Sequence, residues 1–223
     1  MANKIKDSWE NRFYKDIGKQ PEKISRDLHK NLPKFIKLLK GAGAKNVLDL
    51  GCGMGKHSVA LAKKGFRVFG LDLVETAAKV AQDWLKKEGL CAEIRVCDIY
   101  KKLPYKDNFF DGVISTKVLH HGTLCQIKKL VQELERVMRP GGVIMVEVPN
   151  NRRGHKRFGG KFKEIEPGLI TPTFGPEKGI PHYTFSSKKE LADLFSGFKV
   201  ISITITGRAN RRNHYTLLGR LKK

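Results

Sequence analysis

The sequence predicts an α/β fold, a doubly wound and mostly parallel sheet with helices on both faces and a C-terminal antiparallel hairpin. Between residues 46 and 149, short apolar runs alternate with segments of helical periodicity, which indicates a parallel sheet. Polar residues follow several of these runs, as expected where ligands bind at the carboxyl ends of strands. The last two apolar runs flank the basic turn GRANRRN, which indicates a hairpin.

The first 45 residues are predicted to form a helical cap. Three aromatic residues fall on one face of its first segment: Trp9, Phe13 and Tyr14. Residues 23–40 then repeat apolar side chains at helical spacing, and Pro33 is expected to kink or restart this helix. Gly41 and Gly43 are expected to end it.

The central segment, residues 46–149, carries the alternating pattern of strands and helices. Strands are predicted over residues 46–50, 66–73, 92–99, 109–116 and 142–149. Helices are predicted over residues 57–65, 74–89 and 123–138. Four polar sites lie where the strands end: Asp49, Asp72, Asp98 and the segment 115–121. Their coincidence at one edge of the sheet predicts a ligand site there.

Beyond residue 150 the periodic pattern stops. Residues 151–185 are rich in glycine, proline and basic residues, and this segment is too long for an ordinary connection, so we predict a functional flap. Ser187 and Glu190 form a capping-box pattern that opens a helix over 188–196. Strands over 198–205 and 214–221 complete a single domain that spans residues 1–223.

The net charge is the outlying property of the composition. The chain has 223 residues and a formal net charge of +22, with a sequence pI near 10.0. Such a field favours polyanions such as RNA, or an anionic small substrate. A lysine-rich surface that serves solubility explains the charge equally well, so both interpretations stay open.

Cysteine usage and apolar content predict a cytoplasmic protein. The four cysteines have no C-x-x-C spacing, so we expect reduced thiols and not a disulfide frame or zinc site. The segment MANKIKDSWE has no apolar core, and no apolar run is long enough to span a membrane. The sequence therefore predicts neither a signal peptide nor a membrane anchor.

The stretch VLDLGCGMGKHS, residues 47–58, places a glycine loop between a strand and a helix. It departs from the dinucleotide pattern G-x-G-x-x-G because Lys56 stands at the third glycine, and no G-K-[ST] completes a P-loop. The acid Asp49 before the loop is a poor neighbour for a phosphate but suits a ligand with an ammonium group. We expect Lys56 to start the helix with a solvated side chain.

These motifs resemble those of the class I S-adenosylmethionine-dependent methyltransferases, and within them the small type 11 and type 25 domains. LDLGCGMG resembles the first motif of the family, and LDLV, VCDI, LPYKDNFFDGVISTKVLHH and LERVMRPGGVIMVEVPN resemble later ones. The resemblance implies a seven-stranded sheet whose last strand is antiparallel and inserted beside the fifth. It also implies S-adenosylmethionine as the cofactor.

The resemblance carries specific roles to residues of this chain. Asp72 is implied to hold the ribose hydroxyls and Asp98 to contact the adenine amino group. Tyr14 is implied to close the pocket over the methionine part, although core packing explains it equally well. The full set expected to bind the cofactor is Tyr14, Asp49, Gly51, Cys52, Gly53, Gly55, Asp72, Leu73, Asp98, Ile99, Ser115 and Thr116.

Methyl transfer needs alignment of the reacting groups more than chemistry from the protein. His120 and His121 are the candidates for a general base, and a polar loop cap or a cofactor contact is the alternative role for both. The flap offers His155, His182 and Tyr183 as candidate substrate residues. The histidines show no metal-ligand spacing such as H-E-x-x-H, so the sequence predicts no metal.

Three functions stay open. The first is methylation of an N, O or S atom on a small, anionic acceptor, the second is RNA methylation, and the third is a non-catalytic RNA-binding protein with the same fold. Ser115–Val118 stand where DNA amino-methyltransferases carry Asn/Asp-Pro-Pro-aromatic, which disfavours that class. The expected partners are the methyl acceptor, RNA as the alternative and no membrane, with the protein as a monomer or homodimer.

Overall fold

The structure, a computed structural model, describes residues 2–10, 27–151, 161–175, 177–208 and 211–222. The helices are α1 (Ala2–Trp9), α2 (Leu32–Gly41), α3 (Lys56–Ala62), α4 (Glu75–Lys87), α5 (Leu124–Val137) and α6 (Lys188–Leu194). The strands are β1 (Asn46–Leu50), β2 (Arg67–Asp72), β3 (Ala92–Val96), β4 (Phe110–Thr116), β5 (Met138–Pro149), β6 (Phe162–Glu166), β7 (Leu169–Pro172), β8 (His182–Tyr183), β9 (Phe198–Arg208) and β10 (Arg211–Leu221).

The main sheet has seven strands in the order β3-β2-β1-β4-β5-β10-β9. The pairs among β1 to β5 are parallel, whereas β10 runs antiparallel to both β5 and β9. The predicted doubly wound sheet is confirmed, and so is the insertion of the last strand beside the fifth. The strand order reverses between β1 and β4, which places the topological switch point at the ends of these two strands.

Alternate side chains of the central strands pack into different helical layers. Leu48 of β1 belongs to the cluster that contains α5 and α6 residues, and its neighbour Val47 belongs to the cluster with Phe35 of α2 and Leu61 of α3. All four of these side chains are fully buried. Burial on both faces explains why the strands read as continuous apolar runs in the sequence.

The helix predicted over residues 23–40 begins later in the structure. Residues 27–31 are not helical, and α2 begins at Leu32 with Pro33 in its first turn. Proline lacks a backbone N–H and is tolerated there, where that donor has no helical partner. The part of the prediction that covers residues 23–26 lies outside the described residues.

The predicted flap contains regular structure that the sequence did not indicate. Strands β6, β7 and β8 form a separate antiparallel sheet in the order β6-β7-β8. An isolated bridge between Asn150 and Phe185 and a 3.1 Å bond from the backbone N–H of Asn151 to the Phe185 carbonyl attach its end to β5. The strands are short and their polar side chains break the alternation, so periodicity alone could not detect them.

Two further features concern the cysteines and the character of the helices. Cys52, Cys91, Cys97 and Cys125 are free thiols. Among the residues that the structure describes, no helix combines the length and apolar character needed to cross a membrane.

Candidate active site

A cavity of about 600 Å³ lies at the switch point of the main sheet. Its wall takes residues from the ends of β1, β2, β4 and β5, and from the N-terminal segment. The predicted site residues on this wall are Gly51, Cys52, Gly53, Asp72, Leu73, Asp98, Ile99, Thr116 and His121. The polar strand ends therefore meet around one cavity.

The glycine loop is held against the end of β2 by backbone hydrogen bonds. The N–H groups of Gly51 and Cys52 donate to the Leu71 carbonyl at 2.7 and 2.9 Å. Gly51 has φ +73, and a Cβ there would lie 2.3 Å from Cγ2 of Val118. Only glycine fits this position, because any side chain would strain the backbone and displace Val118.

Asp72 fixes the other side of the loop. Its Oδ2 accepts the N–H of Gly53 at 2.7 Å and its Oδ1 accepts the N–H of Val74 at 2.9 Å. Burial raises the pKa of this carboxyl, and the backbone hydrogen bonds oppose that rise. Each carboxylate oxygen has a second lone pair, so Asp72 can also accept hydroxyl groups of a ligand in the cavity.

Asp98 lies two residues beyond the end of β3, the strand that pairs with β2. Its Oδ1 accepts the backbone N–H of Tyr100 at 3.0 Å, which fixes the direction of the carboxylate. The Tyr100 hydroxyl donates to the Leu119 carbonyl at 2.9 Å, so the two loops beside the cavity are joined. Asp98 and Ile99 thus line the cavity at its β3 side, and β3 is an edge strand of the sheet.

Asp49 lies beneath the glycine loop, where 1% of its surface is exposed. Its Oδ2 accepts a hydrogen bond of 2.7 Å from Ser58. Burial raises the pKa of Asp49 to about 6, and the negative charge of Asp72 adds to the rise. Asp49 therefore supports the loop from below, and its direct contact with a ligand ammonium group stays a prediction.

The end of the cavity beside β5 holds a buried polar cluster. Glu147 accepts a hydrogen bond of 2.9 Å from Thr206, whose hydroxyl also lies 2.9 Å from that of Thr216. Nε2 of His29 lies 3.4 Å from Glu147 Oε1 and 3.2 Å from Thr216 Oγ1. Burial opposes ionisation of Glu147, but the contact with His29 and nearby positive charge outweigh it and hold its pKa at about 2.

His57 links this cluster to the glycine loop. Its Nε2 accepts the backbone N–H of His29 at 3.3 Å, and its Nδ1 lies 3.5 Å from the hydroxyl of Thr116. Burial lowers the pKa of His57 to about 3, and the charge of Lys56 adds to this effect. The ring is therefore neutral at physiological pH and acts as a polar spacer.

Lys56 contradicts the expectation of a solvated side chain. It starts α3 as predicted, but its side chain lines the cavity and Nζ donates to the Asp27 carbonyl at 3.0 Å. Burial lowers the pKa of Lys56, and the neighbouring charge of Lys117 lowers it further. These two cations give the outer wall of the cavity a positive character.

The N-terminal helix contributes a hydrophobic part of the wall. Ile5 and Trp9 of α1 both line the cavity. The indole ring of Trp9 meets the ring of His121 edge-on, with 5.4 Å between the centroids. The predicted helical cap therefore reaches the site through Trp9, whereas Tyr14 lies outside the described residues.

Six predicted residues among those that the structure describes do not line the cavity: Asp49, whose position is given above, and Gly55, Ser115, His120, His182 and Tyr183. Gly55 is the N-cap of α3, and Ser115 and His120 are buried behind the wall. His182 packs beside His120 and His121, with ring centroids 5.4 and 4.7 Å away. The Tyr183 hydroxyl donates to Glu190 at 2.6 Å, which holds that side chain against α6. His155 lies outside the described residues.

Several wall residues were not predicted, and one had a signal in the sequence. Glu147 is an acid within the apolar run GVIMVEVP, near the carboxyl end of β5, so the rule that located Asp72 and Asp98 also applied to it. His29 and Thr206 gave no such signal, because tertiary packing alone brings them to the cavity. The segment 27–30 reaches the site only because α2 begins at Leu32.

Comparison with known proteins identifies the family. The family model of a methyltransferase domain matches residues 48–146. A ubiquinone biosynthesis O-methyltransferase from Idiomarina loihiensis is 30% identical over 191 residues, which cover 84% of this chain and 76% of the relative. The chain belongs to the class I S-adenosylmethionine-dependent methyltransferases. The cofactor of this methyltransferase family is S-adenosylmethionine, as the resemblance implied.

Two other similarities cover different lengths of this chain. A tRNA (carboxymethyluridine(34)-5-O)-methyltransferase from Arabidopsis thaliana is 38% identical over 103 residues, which cover 46% of this chain and 23% of the relative. The fold matches that of 1,6-didemethyltoxoflavin-N1-methyltransferase from Burkholderia thailandensis with a TM-score of 0.71 at 19% identity, over 100% of this chain and 91% of that one. The chain spans less than half the length of several curated relatives that it matches.

Proposed function

We propose that the protein transfers a methyl group from S-adenosylmethionine to an N, O or S atom of a small, anionic acceptor. One observation carries the proposal: a single cavity joins the glycine loop, Asp72 and Asp98 to the polar cluster around Glu147 and His29. The first part has the features that suit an adenosine, and the second is a separate polar compartment. A two-substrate reaction requires both compartments in one space.

The residues of the first part fit the cofactor of the family. Gly51 lets the backbone approach a ligand without an intervening side chain, and Asp72 has lone pairs for two ribose hydroxyls. Asp98 stands where an exocyclic amino group would donate to it. When bound, S-adenosylmethionine supplies a methyl group that is already activated for transfer, so the protein mainly provides binding and alignment.

The second part suits an acceptor of limited size with negative charge. Trp9, His29 and the α3 residue Lys56 line the cavity, whose volume of about 600 Å³ would have to hold both the cofactor and the acceptor, and this favours a small molecule over an extended chain. Lys56 and Lys117 supply positive charge, and the hydroxyl groups of Thr116 and Thr206 can hold polar atoms. His121 is the candidate general base that lies on the wall, whereas His120 lies behind it.

Radiolabelled methyl transfer into fractionated cell extract tests the proposal. Label should enter a fraction that passes a small size cut-off and that survives nuclease treatment. Asp72→Ala should reduce this transfer. The matched control is Asp83→Ala on the exposed side of α4, which should leave the transfer unchanged. Label that appears only in nuclease-sensitive, high-mass material would contradict a small acceptor.

RNA is the second candidate acceptor, because the formal net charge is +22. The Arabidopsis relative carries the name of a tRNA methyltransferase, which is consistent with this alternative. Binding of transfer RNA should then be strong at low salt and fall steeply as salt rises. Absence of binding at low salt would exclude RNA as the acceptor.

Measurement of cofactor binding distinguishes the non-catalytic alternative from the two enzymatic functions. A protein that only retains the fold has no need of a functional cofactor cavity. S-adenosylmethionine at millimolar concentration should raise the melting temperature of the enzyme, because it binds only the folded state. A melting temperature that does not change would support the non-catalytic function.

A further inference from the structure

We propose that His120, His121 and His182 form a binding site for a divalent transition metal, preferentially zinc, beside the cavity. Each ring offers one nitrogen, and these three nitrogens lie within 4.8 Å of one another. The residues are 1%, 8% and 0% exposed, so the cluster is enclosed by protein. Three imidazole nitrogens that converge in a buried place are the ligand set of a known class of zinc site.

The chain path and a backbone hydrogen bond hold the three histidine rings close to one another. His120 and His121 are adjacent in the turn before α5, and their ring centroids are 4.1 Å apart. His182 comes from β8, and the N–H of its neighbour Tyr183 donates to the His120 carbonyl at 2.8 Å. Zinc binds imidazole nitrogen at about 2.0–2.1 Å, which places tetrahedral ligands roughly 3.3 Å apart. The three nitrogens, which lie within 4.8 Å of one another, would move closer by side-chain rotation when the metal binds.

The contact of His121 with the backbone determines which of its nitrogens can bind a metal. Its Nδ1 lies 3.2 Å from the Pro181 carbonyl oxygen. A carbonyl oxygen only accepts, so Nδ1 must carry the proton, and the lone pair of the neutral ring is then on Nε2. Metal-binding histidines usually donate their other N–H to a carbonyl or carboxylate in this way.

His182 has the corresponding contact with a carboxylate. Its Nε2 lies 3.5 Å from Oε2 of Glu177. The negative charge favours a proton on Nε2, so that Nδ1 carries the lone pair. Carboxylate–histidine–metal arrangements orient the ring and increase its basicity. The charge of Glu177 would also offset part of the charge of a divalent ion held by three neutral ligands.

The ligand set decides the class of metal. Neutral imidazoles suit zinc, copper, iron and nickel, whereas magnesium and calcium require oxygen ligands. A three-histidine zinc site keeps one position for water or a substrate atom. His121 lines the cavity, so that position would be accessible to an oxygen or nitrogen of the acceptor. This last role depends on the proposed function, but metal binding itself does not.

The sequence spacing concealed this site. His121 and His182 are separated by 61 positions, and H-H followed by a distant histidine matches no metal motif. The prediction of no metal therefore rested on local spacing, which cannot register a cluster made by the docking of β8 against the turn before α5. A histidine whose Nε2 binds a metal cannot take a proton there, so the site replaces the general-base role of His121.

Metal content and cobalt spectroscopy test the proposal. The purified, untagged protein is stripped with a chelator, dialysed against Zn²⁺ and analysed for bound zinc, and Co²⁺ is added in parallel to detect the visible absorption of a tetrahedral site. We expect one ion per chain. His182→Gln should remove this binding, and Glu177→Gln should weaken it by about 10- to 100-fold.

His214→Gln is the matched control, because it removes a buried histidine outside the cluster and should retain one zinc. Wild-type protein that takes up only trace metal, or a Glu177→Gln variant with unchanged zinc affinity, would overturn the site. Glu177 is partly exposed and its replacement keeps the shape, so a folding defect does not obscure that variant. Cofactor binding is measured on the same samples, which separates loss of the metal site from failure of the proposed function.

Discussion

Thr206 on β9 donates a hydrogen bond of 2.9 Å to Glu147 on β5, although strand β10 lies between these two strands in the sheet. Thr216 on β10 is the register partner of Glu147, and its hydroxyl lies 2.9 Å from that of Thr206. Three adjacent strands thus place polar side chains at one point beside the cavity. The inserted antiparallel strand is therefore part of the polar cluster, because the Thr216 hydroxyl contacts both Thr206 and His29, and these two residues contact Oε1 of Glu147.

Replacement of Glu147 by Gln should change the dependence of stability on pH. The pKa of Glu147 is about 2 in the folded protein against an ordinary value of 4.5. A depressed pKa stabilises the folded state above pH 4.5, and that stability is lost as pH falls toward 2. The difference corresponds to on the order of 3 kcal/mol of unfolding free energy.

Urea unfolding of the wild type and Glu147→Gln at pH 7 and pH 3 measures this contribution. The variant should be less stable than the wild type at pH 7, and the difference in their unfolding free energies should be smaller at pH 3. Glu75→Gln on the exposed surface of α4 is the control and should change neither value. A gap that stays constant between the two pH values would mean that Glu147 is not ionised in the way described.

Asp72→Ala should weaken binding of S-adenosylmethionine. The change removes the acceptor for two backbone N–H groups and leaves ribose hydroxyls without a partner. An unsatisfied polar group costs about 1–3 kcal/mol, which corresponds to roughly a 5- to 150-fold increase in Kd. Isothermal titration calorimetry measures the change, with Asp83→Ala as the control. Equal affinity of Asp72→Ala and wild type would place the cofactor elsewhere.

The part of the cavity wall formed by the glycine loop, Asp72 and Asp98 was largely predictable from the sequence, because these residues lie at or just beyond the ends of strands. Asp72 ends β2 and Asp98 lies two residues beyond the end of β3, and the parallel pairing of these strands, with Asp72 opposite Val96, brings both acids to one edge of the sheet. The glycine loop was predictable for the same reason. These positions depend on local sequence and on the repeated strand–helix unit, and both can be recognised in the amino-acid sequence.

The contacts of His29, His182 and Lys56 were not predictable in the same way. His29 reaches Thr216 across 187 positions, and His182 reaches the turn before α5 from a separate small sheet. Such contacts follow from the docking of irregular segments, for which a sequence has no periodic signal. The contact of Lys56 was unpredictable for the same reason. Its side chain donates to the Asp27 carbonyl, and the position of Asp27 depends on where α2 begins.

Gly51→Ala should destabilise the protein and impair cofactor binding, because its Cβ would lie 2.3 Å from Val118 in addition to the strain of a positive φ. Gly43→Ala is the matched control, since Gly43 has φ +63 but a Cβ at that position would meet no atom within 4 Å. The control should cost only the backbone strain, about 1–2 kcal/mol. Thermal unfolding and calorimetry measure both effects. Similar losses in both variants would show that the contact with Val118 is unimportant.

Asp49→Asn should flatten the change in stability between pH 4 and pH 7 without cofactor. The pKa of Asp49 is raised from 3.8 to about 6, so its carboxyl holds a proton in the folded state at pH values where the unfolded chain has lost it. The unfolding free energy of the wild type therefore falls as pH rises through 6, by on the order of 3 kcal/mol for this group. Asparagine keeps an acceptor for Ser58 and carries no charge, so it removes this cost. Denaturant unfolding at several pH values should show Asp49→Asn as stable as the wild type at pH 4 and more stable at pH 7. A variant that is less stable at both would show that the charged carboxylate supports the loop.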